Sequence, residues 1–109
     1  MIHGQLTKWN WLPYHPKNIK IGKNVDIGAF TCLFGHEGIE IGDNVQIGSH
    51  CSIYSLNTEN NTKGKVIIKK NACIGSHCII FPNVIIEENE KIPANTIVYV
   101  NKFGGRCFK

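Results

Sequence analysis

An aliphatic residue returns every six positions through Ile41-Gly42-Asp43-Asn44-Val45-Gln46-Ile47-Gly48-Ser49-His50-Cys51-Ser52-Ile53, at 41, 47 and 53. Self-similarity at a fixed period constrains a chain more than local propensity does. Carried outward, the same frame takes in Ile21, Ile27 and Leu33, then Ile68, Ile74, Ile80, Ile86, Ile92 and Val98. That makes four groups of three hexads. A period of six is neither a helical stripe nor a simple alternating strand. It suits a short strand and a bend, three to a turn, with the aliphatic residues stacked inward at the strand spacing of about 4.8 Å. The pattern predicts an all-β parallel β-helix of about four coils.

Two interruptions in the frame fall after the third hexad of a group, hence at one corner of the triangle. Leu33 to Ile41 spans eight residues and Ile53 to Ile68 fifteen, whereas Ile80 to Ile86 keeps strict step. The longer insertion is polar and rich in turn formers, and insertions on one face of a repeat protein often build its binding surface. The chain therefore divides into an N-terminal cap over 1–18, a β-helix over 19–100 with a corner loop at 54–66, and a tail over 101–109. In the cap, Trp9, Trp11, Pro13, Tyr14 and Pro16 crowd together, and the prolines argue against a regular ladder. Phe103 and Phe108 are positioned to cover coil four from the tail.

The three corner columns come next. The first stacks Asn24, Asn44, Asn71 and Asn89, and Asn tolerates left-handed backbone. The second stacks Phe30, His50, His77 and Asn95, which brings two imidazoles into adjacent coils. The third begins with His36, beside Glu37, and includes Asn83. Histidine titrates near working pH and is the commonest general base. It is also enriched at positive φ, so a purely structural role is open for each.

Net charge is +4 from twelve Lys/Arg against eight Asp/Glu, and Arg106 is the single arginine. The lysines are spread along the chain without aromatic platforms, which argues against nucleic acid as a partner. Five cysteines, an odd number without a CxxC, do not make a disulfide framework or a zinc-finger spacing. Cys51 and Cys78 fall on the small inward position and read as core. With no long apolar segment for membrane insertion and no signal-type run, the expectation is a cytoplasmic protein. A rod of four coils is only about 19 Å long and buries little apolar surface alone, so an oligomer is expected.

The hexads over residues 19–100 resemble those of the hexapeptide-repeat acyltransferases. The resemblance implies a left-handed parallel β-helix, a homotrimer of parallel rods, and transfer of an acyl group, acetyl above all, from coenzyme A. The implied acceptor is a sugar or a nucleotide-linked amino sugar for surface polysaccharide. On that reading His50 and His77 are the first candidates for general base and partner, with His36 second. Glu37, Asn57 and Asn83 are candidates for acceptor contacts. Gly75, where backbone can approach a ligand, and Lys102 and Arg106, as phosphate contacts, are candidates for holding acetyl-coenzyme A, and Lys109 of the same tail could also meet phosphates.

The catalytic histidine of the xenobiotic and galactoside branch lies in the loop after coil two. The matching stretch here, Leu56-Asn57-Thr58-Glu59-Asn60, has none. Some amino-sugar acetyltransferases of this kind use no obvious protein base. The γ-type carbonic anhydrases share the fold and bind zinc through three histidines, two of them closely spaced. Here the steps are 14 (36 to 50) and 27 (50 to 77), so that pair is missing and no metal is expected. The competing class is a non-catalytic β-helix used for assembly, with every histidine a turn residue.

Overall fold

The computed structural model describes all of residues 1–109. The chain winds as a parallel β-helix of about four coils with three strand faces. The first face stacks Ile19–Ile21, Ile39–Ile41, Val66–Ile68 and Ile85–Ile86. The second stacks Asp26–Ile27, Gln46–Ile47, Cys73–Ile74 and Lys91–Ile92. The third stacks Leu12–Tyr14, Cys32–Phe34, Ser52–Tyr54, Ile79–Ile80 and Ile97–Val100. All ladders between these coils are parallel.

Every step of the frame becomes a vertical neighbour. Ile21 pairs with Ile41, Ile41 with Ile68 and Ile68 with Ile86, and Ile27, Ile47, Ile74 and Ile92 follow on the second face. On the third face Leu33, Ile53, Ile80 and Val98 complete the set. Except for Ile21, which is half-buried and packs against them, these residues form one continuous buried column with Ile39, Val45, Val66 and Val84. Cys51 and Cys78 lie fully inside it. Burying an aliphatic side chain this completely stabilises by roughly 1.5–3 kcal/mol, and the repeat places one on nearly every strand.

The corners turn through left-handed backbone. Asn24, Asn44, Asn71 and Asn89 have φ of 57, 62, 62 and 63°. Their carboxamides also form a ladder, with Asn24 Nδ2 donating to Asn44 Oδ1 at 3.4 Å and Asn44 Nδ2 to Asn71 Oδ1 at 3.2 Å.

Two expectations about the ends need correction. Residues 12–14 are a further rung on the third face, paired with residues 32–34. Pro13 is tolerated because this is an edge strand, where the missing N–H faces no partner. The tail is not an aromatic cap. Residues Arg106–Phe108 reverse and pair antiparallel with Val98–Val100, leaving Phe103 85% exposed and Phe108 48% exposed. Backbone pairing, not aromatic burial, closes that edge.

Candidate functional site

At the second corner Phe30, His50, His77 and Asn95 turn with φ of 64, 57, 60 and 59°. Identical backbone in adjacent coils brings the two imidazoles face to face, with ring centroids 4.9 Å apart and planes within 5°. Phe30 covers the other side of His50 at 5.4 Å. The juxtaposition expected from counting by sixes is present, in the left-handed conformation that also favours histidine for purely local reasons.

The start of the third corner holds a cluster that has no counterpart in the sequence reading, which left His3 and His15 unassigned. The His15 ring lies 4.2 Å from that of His36 and 4.7 Å from that of His3. The His15 N–H donates to His3 Nδ1 at 2.9 Å. His36 Nδ1 is buried and has no hydrogen-bond partner. Glu37 follows His36 in sequence, and its N–H donates to Ser55 Oγ at 2.8 Å. His36 and Glu37 border a wholly polar cleft with Lys17, Lys20, Glu40 and Lys65. They stand apart from His50 and His77, at another corner.

Burial first, then the neighbouring His15 and His3 imidazoles, hold His36 below the usual histidine range, with Glu37 opposing only in part. The folded state therefore favours neutral His36. Its contribution to stability is complete above the ordinary histidine value of about 6.5 and is lost as pH falls through the lower folded value. Thermal midpoints measured from pH 7.5 to 5 should fall more steeply for the native protein than for His36→Asn. Parallel profiles would contradict this.

The far part of the third corner carries the most developed concavity, a cleft of about 560 Å³. The long insertion is a β-hairpin, with Leu56–Asn57 antiparallel to Thr62–Lys63. It forms one wall through Asn57, Asn60 and Thr62. Phe81, Pro82 and Asn83 form the floor, and coil four with the tail supplies Ile97, Tyr99, Asn101, Lys102 and Lys109. Asn57, Asn83 and Lys102, proposed separately from sequence, meet here. Lys109, another tail cation read as a possible phosphate contact, joins them. It arrives because the tail doubles back, its N–H and C=O pairing with Ile97 at 2.9 and 3.0 Å. No Asp or Glu side chain lines the cleft, and Lys102 and Lys109 are its only charged side chains, an arrangement suited to an anionic ligand.

Arg106 and Gly75 have structural explanations. Arg106 donates to Glu90 and, at 3.0 Å, to the Ile85 carbonyl. It thus ties the tail to coil four and does not line the cleft. Burial alone would raise the Glu90 carboxyl, but the Arg106 hydrogen bond and charge, with help from the Glu87 N–H, hold it below the ordinary range. At Gly75 an added Cβ would lie 2.5 Å from the Ala94 nitrogen, and the Gly75 N–H is already bonded to the Ile92 carbonyl at 2.8 Å. Glycine is needed there for coil stacking, and no free N–H remains for a ligand. No group of three or more His, Cys, Asp or Glu side chains is arranged to hold a metal ion. No helix is long and apolar enough to cross a membrane.

Comparison with known proteins adds the chemistry of relatives. A family described as the hexapeptide repeat of succinyl-transferase matches residues 18–55 and 65–100. Among solved structures, the chain is similar to a variant of AntD, an N-acyltransferase from Bacillus cereus, in complex with dTDP-4-amino-4,6-dideoxyglucose and coenzyme A. That match has 31% identity and a TM-score of 0.66 over 86% of this chain and 69% of the other. A further AntD structure, in complex with dTDP and 3-hydroxybutyryl-CoA, matches with 27% identity and a TM-score of 0.53, over 85% and 73% of the two chains. No curated protein sequence matches the chain.

Proposed function

The chain belongs to the hexapeptide-repeat family of transferases, and from that membership we propose that it transfers an acyl group, most simply acetyl, from acyl-coenzyme A to the amino group of a nucleotide-linked sugar. The observation that carries this reading is the cleft at the hairpin corner. Carboxamides (Asn57, Asn60) suit hydroxyl-rich sugars, while Lys102 and Lys109 suit phosphates, as point charges. The likeness to N-acyltransferases in complex with coenzyme A and an amino-sugar nucleotide supports the same substrate classes.

The reaction needs one nucleophile and one proton acceptor. The acceptor nitrogen attacks the thioester carbonyl, a C–N bond forms, the C–S bond breaks, and coenzyme A departs as its thiol once the ammonium proton has been passed on. Holding an uncharged amine against the thioester supplies much of the rate by orientation alone. His50 and His77 are assigned to the proton-accepting step, with His36 the reserve.

The two corners are joined through oligomerisation. The outer side of the third face carries Leu12, Cys32, Ser52, Ile79 and Ile97 in one column. Beside it runs an aromatic stack, Tyr14–Phe34–Tyr54–Phe81, at 4.9, 4.6 and 5.6 Å. This surface bears no charge and spans from the histidine corner to the hairpin corner. Packing it about a three-fold axis is a heterologous contact that closes into a ring, setting the histidine corner of one copy against the hairpin corner of the next. All five cysteines are free thiols, in keeping with a reducing compartment such as the cytoplasm.

The test is coupled binding and turnover. With acetyl-coenzyme A at about 100 times its Kd, stabilisation of roughly 2–3 kcal/mol is expected. Release of free coenzyme A thiol should then require a nucleotide-linked amino sugar. No thermal shift would favour an assembly protein, and a shift with thiol release indifferent to the amino group would remove the acceptor assignment.

A further inference from the structure

Asn83 lines the cleft, yet its side chain is committed elsewhere. It turns the third corner of coil three at φ 70°, and its Nδ2 donates to the Lys63 carbonyl at 3.1 Å. Lys63 is the last residue of the hairpin, and Gly64 follows it. A Cβ at Gly64 would lie 1.7 Å from Asn83 Oδ1 and 2.5 Å from Asn83 Cγ. The carboxamide therefore occupies the space that a side chain at 64 would need. The other root of the hairpin is Ser55, fully buried. Its carbonyl accepts from the Gly64 N–H at 2.9 Å, and its hydroxyl donates to the Phe34 carbonyl at 2.6 Å.

We infer that Asn83 is a positioning residue: it latches the hairpin at Lys63–Gly64 and so sets where Asn57, Asn60 and Thr62 stand against Lys102 across the cleft, which decides the acceptor that fits. A two-stranded hairpin of this size is at best marginally stable by itself, and here it has only two paired positions. Its pose must come from its roots. Ser55 is buried in the corner and fixes one. Asn83 fixes the other from the next coil, the one that also forms the cleft floor. The side chain thus transmits the floor's position to the wall. The kinetic side of this inference rests on the proposed acyl transfer, and the structural side does not.

The experiment compares the native protein with Asn83→Gly, which tolerates the positive φ and removes only the carboxamide, and with Gly64→Ala, which obstructs the latch while leaving Asn83 in place. Two readouts are taken: amide hydrogen exchange over residues 56–63, and steady-state constants for each substrate separately. Both variants should exchange faster over 56–63. Both should raise KM for the amino-sugar nucleotide about tenfold, the loss of one well-made hydrogen bond, while KM for acetyl-coenzyme A stays within about twofold. Unchanged exchange overturns the latch, whatever the kinetics. Faster exchange with both KM values rising together, or with kcat alone falling, overturns the assignment of acceptor selection. If the native protein has no transferase activity the functional reading fails, and the latch is then judged on exchange alone.

Discussion

Gly48→Ala is expected to cost the fold about 3 kcal/mol or more, the upper part of the range for forcing atoms into a packed interior. An added Cβ would lie 2.5 Å from both the nitrogen and the hydroxyl of Ser76 and 2.7 Å from its Cα. Two of those atoms are backbone and cannot swing aside. Their height is held by the ladder, in which the Gly48 N–H donates to the Ile74 carbonyl at 2.8 Å and the Ser49 N–H to Ser76 Oγ at 3.2 Å. Relief would require coils two and three to separate locally, and in a stacked repeat each coil is stabilised mainly by its neighbours. Urea unfolding at unchanged slope should show the loss as a lower midpoint. Gly104→Ala is the control. Nothing lies within 4 Å of a Cβ there, and only its φ of 83° resists substitution, at roughly 1–2 kcal/mol. Equal midpoints for the two variants would mean that the coils are not in the contact described.

His50→Asn and His77→Asn are expected to separate chemistry from folding. Asparagine already occupies the equivalent corner position at 95, with φ of 59°, so these substitutions keep the left-handed turn without the strain alanine would bring. If either imidazole accepts the proton, kcat should fall by about 10²–10⁴-fold, with the oligomer and its thermal midpoint nearly unchanged. The single variants identify which ring acts, and the double variant shows whether its neighbour substitutes. Full turnover in the double variant would mean that the proton leaves by another route and that orientation of a neutral amine carries the reaction.

Legibility in the sequence followed the repeat. Wherever the chain keeps step, one dimension converts directly into stacking, and Ile47, Ile74 and Ile92 or Asn44 and Asn71 could be placed as neighbours from position alone. The left-handed corners were equally readable, because few residue types accept that backbone. Outside the frame no such rule exists. The approach of His3, His15 and His36 depends on how an aperiodic cap folds against a two-residue insertion. The return of Lys109 to the cleft depends on a tail reversing direction. Pro13 argued against a strand, but the rule it breaks applies to interior strands, and residues 12–14 lie at an edge. Arg106 could be recognised as a cation, whereas its commitment to Glu90 required the tail's path.

Both indoles of the protein, the buried Trp11 and the exposed Trp9, lie in the N-terminal segment, and the rod itself contains none. Intrinsic emission therefore reports that segment and, through Trp11 in the shared core, its seat on the first coil, while far-ultraviolet ellipticity is dominated by the coils. On acidification the emission should change first, ahead of any loss of ellipticity. Superimposable curves would mean that segment and rod come apart as one cooperative unit.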